Sequence, residues 1–239
     1  MDEPAVRETP RRVRPSASGI ILFILAGSGV LFSSCSDHAP ELASLEYRLA
    51  LRPLDPQGAA VSEHLSLFAA VRDEDGIKDL AALHILHDGQ ELYWTLTPER
   101  WTRNDRGKET WLGGTGLSAP DSRALPRGVY RVVLEDLAGE SDEVSFSIGT
   151  GIEKGASFPI IQKAGDSVSV ISKYPRTELL FLDASGALLR AVDAPRQFEE
   201  LDRLYASSAW RREAETLAAY GYDAERNLGV FSWKIDLKP

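Results

Sequence analysis

Apolar and polar positions follow two patterns along the chain: an uninterrupted apolar block near the start, then a long alternation. The block, Gly19–Phe32, has no charge and follows Arg11, Arg12 and Arg14. Its fourteen residues rise about 21 Å as a helix, short of the roughly 30 Å of a hydrocarbon core. It therefore reads as the core of a secretory signal rather than a membrane span. From Leu42 to Ile148 the period is near two. Leu45, Tyr47 and Leu49 alternate with Glu46, Arg48 and Ala50, until Pro53 and Pro56-Gln-Gly58 break the run. Leu65, Leu67, Ala69 and Val71 then face away from His64, Ser66 and Arg72. Leu80–His87 and Glu91–Thr97 predict a hairpin turning at Asp88-Gly89, where positive φ is favoured. With Lys108–Leu112, Val129–Asp136 and Glu143–Ile148, about seven short strands predict an antiparallel β-sandwich.

The pattern changes after Gly149-Thr-Gly151. Phe158–Ile161, Ser167–Ile171, Thr177–Leu182 and Ala187–Val192 predict strands. Pro195 can open a helix, with Phe198, Leu201, Leu204 and Tyr205 at helical spacing. Trp210, Ala214 and Leu217 extend that spacing to a cap at Gly221. A closing strand puts Phe231, Trp233, Ile235 and Leu237 on one face. The expected organisation is a leader over 1–34, a tether over 35–41, a β-sandwich over 42–148, a linker over 149–157 and a small α+β domain over 158–239.

Cys35, the single cysteine of 239 residues, follows the apolar block through Ser33 and Ser34. One thiol cannot cross-link the fold, so its position calls for another explanation. Ser33-Ser34-Cys35 resembles the lipobox of bacterial lipoproteins, which implies cleavage between Ser34 and Cys35 and acylation of the new N-terminal cysteine. Phe32 stands where that pattern usually has leucine, as in the relaxed boxes of spirochaete lipoproteins. An uncleaved anchor, or an ordinary secretory signal cut nearby, are the alternatives. The resemblance implies a protein held by lipid to the cell envelope, outside the cytoplasm. Ser36 after the cysteine is compatible with outer-membrane sorting.

The leader carries four arginines and three acids, so the remaining 205 residues hold 23 bases and 33 acids, a formal charge of −10. Such a surface repels phosphate backbones, which argues against a nucleic-acid partner, and it repels anionic lipid too. Attachment to a membrane would then rest on acyl chains, more than one of which is needed for a stable hold. Hydrophobic residues make up 43% of the chain, enough for packed cores without a disulfide.

Leu125-Pro-Arg-Gly-Val-Tyr130, running to Asp136-Leu-Ala-Gly139 and Val144-Ser-Phe-Ser-Ile148, resembles the last two strands of bacterial immunoglobulin-like and fibronectin type III-like modules. The resemblance implies that Tyr130 buries its ring at a corner and hydrogen-bonds its hydroxyl to nearby backbone. It implies a fold and no activity.

Candidate chemistry is sparse. His84 and His87 lie an odd number of residues apart on one strand, so they face opposite ways and do not chelate together. Asp73, Asp75 and Asp79 surround Gly76 and form a weak calcium candidate, though a turn needs the same residues for its backbone. Trp94, Trp101 and Trp111 fall close together, with Arg103 and Asn104 between the last two. Trp101 and Trp111 with these polar neighbours could stack on a glycan or peptide, or simply belong to the core. Gly113-Gly-Thr-Gly116 reads as a turn. No nucleophile elbow, phosphate loop or dinucleotide fingerprint occurs, so no cofactor is assigned. The expected role is non-catalytic binding or scaffolding at the envelope. Alternatives are an envelope enzyme or carbohydrate/peptide binder using Trp94–Trp111, or a ligand-binding lipoprotein serving a transporter.

Overall fold

In the computed structural model, residues 7–8, 38–120, 124–149, 157–205 and 209–237 are described. Ser34 and Cys35 lie outside them, as do residues 36–37 of the tether and 150–156 of the linker. The chain is mainly β, 58% strand and 8% helix, in several sheets.

Alternation builds the first half. β1 (Arg7–Glu8) is a two-residue strand on Glu46 and Leu45 of β2 (Glu41–Pro53). β2 pairs antiparallel with β3 (Val61–Arg72). β4 (Leu80–His87) and β5 (Leu92–Leu96) form the expected hairpin. β6 (Thr102–Arg106) and β7 (Glu109–Leu117) form another, and β8 (Gly128–Asp136) with β9 (Ser141–Ile148) a third. The strands fall into two sheets that meet face to face, with orders β2-β3-β7-β6 and β5-β4-β8-β9. Leu45, Leu65, Leu67 and Leu112 from one sheet meet Leu83, Ile85, Val132 and Phe146 from the other in one core.

Turns here differ from expectation where backbone geometry overrides residue type. Between β4 and β5 the positive φ falls on Glu91, at 50°, after a 3₁₀ turn over Asp88–Gln90. Gly113-Gly-Thr-Gly116 is not a turn, because β7 runs through it to Leu117. A Cβ at Gly113 would come within 2.0 Å of the Leu67 carbonyl oxygen, so this glycine permits close approach of two strands. Tyr130 behaves as the resemblance implied: its ring is fully buried and its hydroxyl donates to the Pro126 carbonyl at 2.8 Å.

The second half continues the first sheet. β12 (Arg176–Leu182), β13 (Leu188–Asp193), β15 (Thr216–Asp223) and β16 (Leu228–Phe231) extend it in the order β13-β12-β15-β16-β2. β16 lies parallel to β2, pairing Leu228, Gly229 and Val230 with Leu49, Ala50 and Leu51. The chain segments before and after the expected linker thus share one sheet. β10 (Ile160–Ala164), β11 (Ser167–Ile171) and β14 (Glu199–Glu200) form a small third sheet, and β17 (Ile235–Asp236) pairs with β15. Val168, Leu179, Phe181, Leu201 and Leu217 fill the core between the long sheet and the small one.

The long helix expected after Pro195 is not built. Among the described residues after Pro195, helix is confined to α1 (Leu201–Tyr205) and a 3₁₀ turn, Ala209–Arg212, and Thr216–Asp223 is a strand. Its sequence, Thr216-Leu-Ala-Ala-Tyr-Gly-Tyr-Asp223, lacks alternation because both faces are covered. Leu217 and Ala219 face one core, while Ala218 and Tyr220 face another with Leu180, Leu182 and Phe231. Gly221, expected as a helix cap, sits under the Tyr174 ring, where a Cβ would come within 2.3 Å. Among the described residues, no helix is long and apolar enough to cross a membrane.

Candidate functional site

A groove of about 420 Å³ opens where the β2–β3 turn meets the second half. Pro53, Pro56, Phe158, Pro159 and Trp233 line it beside Ile160, Ile161 and Ile235, and Gln57 and Ser157 supply its polar side chains. Among the described residues, no charged side chain lines it.

Each wall is fixed from below. The Asp55 carboxylate accepts the N–H of Ala60 at 2.6 Å, of Ala59 at 3.1 Å and of Gln57 at 2.9 Å. These bonds, that from Ala60 first, hold its pKa below the usual carboxylate value. The turn they close places Gly58 at φ +68°, with the Phe158 ring 3.0 Å from where a Cβ would stand. Glycine meets both demands. On the opposite wall, the buried Ser232 hydroxyl accepts the Ala219 N–H and donates to the Trp233 carbonyl, each at 2.8 Å. The backbone of Trp233 is therefore fixed while its side chain remains 42% exposed. Sequence alternation places Trp233 on one face of a continuous strand with Phe231, Ile235 and Leu237. The strand instead breaks between β16 and β17, and that break presents the ring.

No protein-family model, no curated protein and no solved structure matches this chain. The groove must be read from its own chemistry. Fixed aromatic and proline surfaces with two neutral polar side chains suit an uncharged, largely apolar ligand surface, such as an extended peptide.

The aromatic cluster expected at Trp94–Trp111 is built differently. Trp111 is 1% exposed, and the Arg106 guanidinium lies 4.7 Å over its ring, so it offers no stacking face. Trp101 packs against the sandwich core. Trp94 donates to the Ser118 carbonyl at 3.1 Å and stacks near Tyr130. Arg103 and Asn104 belong to the exposed edge strand β6, where Arg103 pairs with Asp105 at 3.0 Å. Asn104 lies opposite Trp111 in the ladder, but the buried Trp111 ring presents no open face beside it.

The calcium candidate is not assembled either. Among the described residues, no three His, Cys, Asp or Glu side chains converge to hold a metal ion. Asp73 accepts the Asp75 N–H at 2.8 Å, and Asp75 accepts the His38 N–H at 3.0 Å. Asp79 receives Leu137 N–H on its carbonyl. These acids shape loops. His84 and His87 face opposite ways: His84 contacts Thr95 and Glu135 on the outer side, and His87 is buried against Tyr130.

One buried polar cluster was not anticipated. Glu63 is 4% exposed and takes both terminal nitrogens of Arg127, at 2.8 and 2.9 Å. It also accepts the Leu125 N–H at 2.9 Å. Arg127 donates to the Leu125 carbonyl, and its own carbonyl meets His87 Nε2 at 3.1 Å. This network stands beneath the Tyr130 corner and fixes the approach to β8. A glutamate in an otherwise alternating strand, Val61-Ser-Glu-His-Leu65, is the one signal the sequence carried for it.

Proposed function

We propose that the protein is an exported bacterial lipoprotein, held to the envelope by acyl chains on Cys35, whose folded body binds a partner without catalysis. The carrying observation is the run from Arg11, Arg12 and Arg14 through Gly19–Phe32 to Ser33-Ser34-Cys35, with the folded body beginning directly after it. In this reading β1 leaves with the leader, and the mature charge of −10 leaves attachment to the acyl chains. The strand orders β2-β3-β7-β6 and β5-β4-β8-β9, with the Tyr130 corner, support an immunoglobulin-like identity for the sandwich.

The groove around Trp233 is the binding surface we assign. It carries the peptide-binding alternative that the Trp94–Trp111 region does not. A transporter receptor would need two α/β lobes around a cleft, and no observation favours that reading. Intact mass and N-terminal peptide analysis of protein extracted from its native membrane tests the proposal. A chain beginning at acylated Cys35 is expected. A chain retaining residues 1–34 with a free thiol would overturn it.

A further inference from the structure

We propose that the β3–β4 and β8–β9 loops lie on the surface of the membrane that holds the anchor, with Leu137 among the lipid headgroups. This rests on the lipoprotein reading above, and it follows from how little chain separates Cys35 from the folded body.

His38 is the third residue after Cys35, so at most about 11 Å of extended chain lies between them. The start of the described body is tied to one end of the sandwich. His38 N–H donates to Asp75 Oδ2 at 3.0 Å, and its ring lies 3.4 Å from Glu74. Leu42 N–H donates to Asp142 Oδ2 at 2.8 Å, beside the β8–β9 turn. The two loops are tied to each other by Leu137 N–H donating to the Asp79 carbonyl at 2.8 Å. An acyl group on Cys35 therefore holds this end of the body against the bilayer.

Leu137 suits that position. Its side chain is 71% exposed at the tip of the turn. The turn beneath it is closed by Asp136 Oδ1, which accepts the Ala138 N–H at 2.9 Å and the Glu140 N–H at 2.8 Å. A large apolar side chain on a fixed turn loses little freedom on entering an apolar phase. Glu74, Asp75 and Glu140 are exposed in the same two loops and outnumber the exposed Lys78 there. They oppose anionic lipid and match headgroups that carry a cationic amine, so the partner is a bilayer of zwitterionic phospholipid. β2 runs thirteen residues away from this end, or about 40 Å. Gln57 and the Trp233 groove stand beyond its far end, away from the lipid.

The test uses the full processed protein with its native anchor, in vesicles of phosphatidylcholine containing brominated acyl chains. Leu137→Cys and Gln57→Cys are made separately, and each new thiol carries a polarity-sensitive fluorophore. Intact mass reports the state of Cys35 in the same samples. With Cys35 acylated, the probe at 137 is expected to shift to the blue and be quenched several-fold more than the probe at 57. Equal quenching at both positions, or stronger quenching at 57, overturns the orientation and leaves the anchor standing. A chain whose Cys35 is unacylated removes the anchor reading, and the orientation falls with it.

Discussion

The sandwich half and the strands that extend it solve the same problem by different chemistry. In the sandwich, a corner of the fold is fixed by charge and hydrogen bonds: Glu63 is satisfied by Arg127 and the Leu125 N–H, and the Tyr130 hydroxyl beside them donates to the Pro126 carbonyl. In the second half, strands are fixed by rings laid over glycines. Tyr174 covers Gly221, and Tyr220 covers Gly229, where a Cβ would come within 2.5 Å of the ring. A sheet with one face on a core can spend side chains on a polar lock at its end. A sheet covered on both faces is held by shape, and small residues become essential within the strand.

The largest expected effect falls on the polar lock. Arg127→Ala leaves the Glu63 carboxylate buried without its cation and should cost about 3–5 kcal/mol in urea unfolding. Replacing both partners, Glu63→Leu with Arg127→Met, should recover most of that loss; a double variant as unstable as the single one would show that charge pairing is not what holds this corner. On the other side of the contrast, Gly221→Ala drives a methyl into the Tyr174 ring and should cost about 1–3 kcal/mol. Combining it with Tyr174→Leu should bring back part of the loss, and additive losses would remove the ring-over-glycine account.

A smaller change sharpens the comparison further. Tyr130→Phe deletes one buried hydroxyl and should cost about 1 kcal/mol near neutrality. Burial pushes the Tyr130 hydroxyl up to about 12 from its ordinary 10. The folded state keeps a proton that the unfolded chain releases, so the stabilisation is complete below pH 10 and is lost as pH climbs toward 12. The Phe variant should unfold with a shallower alkaline dependence than the parent; identical slopes would mean that Tyr130 does not titrate on unfolding. Tyr174 and Tyr205 are also raised by burial and contribute in the same direction, so the difference between the two curves is the informative quantity. The smallest stability effect is expected for Trp233→Ala, within about 0.5 kcal/mol for so exposed a ring. Its effect should appear instead as lost crosslinking from Gln57 to any envelope partner, and unchanged crosslinking would move the binding surface elsewhere.

Legibility in the sequence followed burial. β4 and β11 match their expected ranges residue for residue, since Leu80–His87 and Ser167–Ile171 are bounded by polar turns. The Tyr130 corner was readable because a Pro-x-Gly turn feeds it. β15 was not, because residues on both faces are apolar and a period of two disappears. β6 was not, because Thr102-Arg-Asn-Asp-Arg106 is exposed throughout and has no apolar face to mark it. The groove was hidden for a third reason. Pro53, Phe158 and Trp233 meet only through the parallel pairing of β16 with β2, and Asn227, whose side chain donates to the Tyr47 carbonyl at 2.7 Å, sits 180 residues from its acceptor. Local pattern carries no information about such a contact.

That pairing also sets an order of events for the growing chain. β2 emerges long before β16, the partner for its Leu49–Leu51 edge. Until residue 230 is available, a stretch of unpaired N–H and C=O groups stays open beside a nearly complete sandwich. Closing the longest loop in the molecule is slow and depends on contacts far apart in sequence. A ribosome or translocation channel that releases the body early would expose an adhesive edge, and truncation before β16 would make that exposure permanent. β16 thus acts as a seal on β2, and the long sheet is continuous only when these two strands have met.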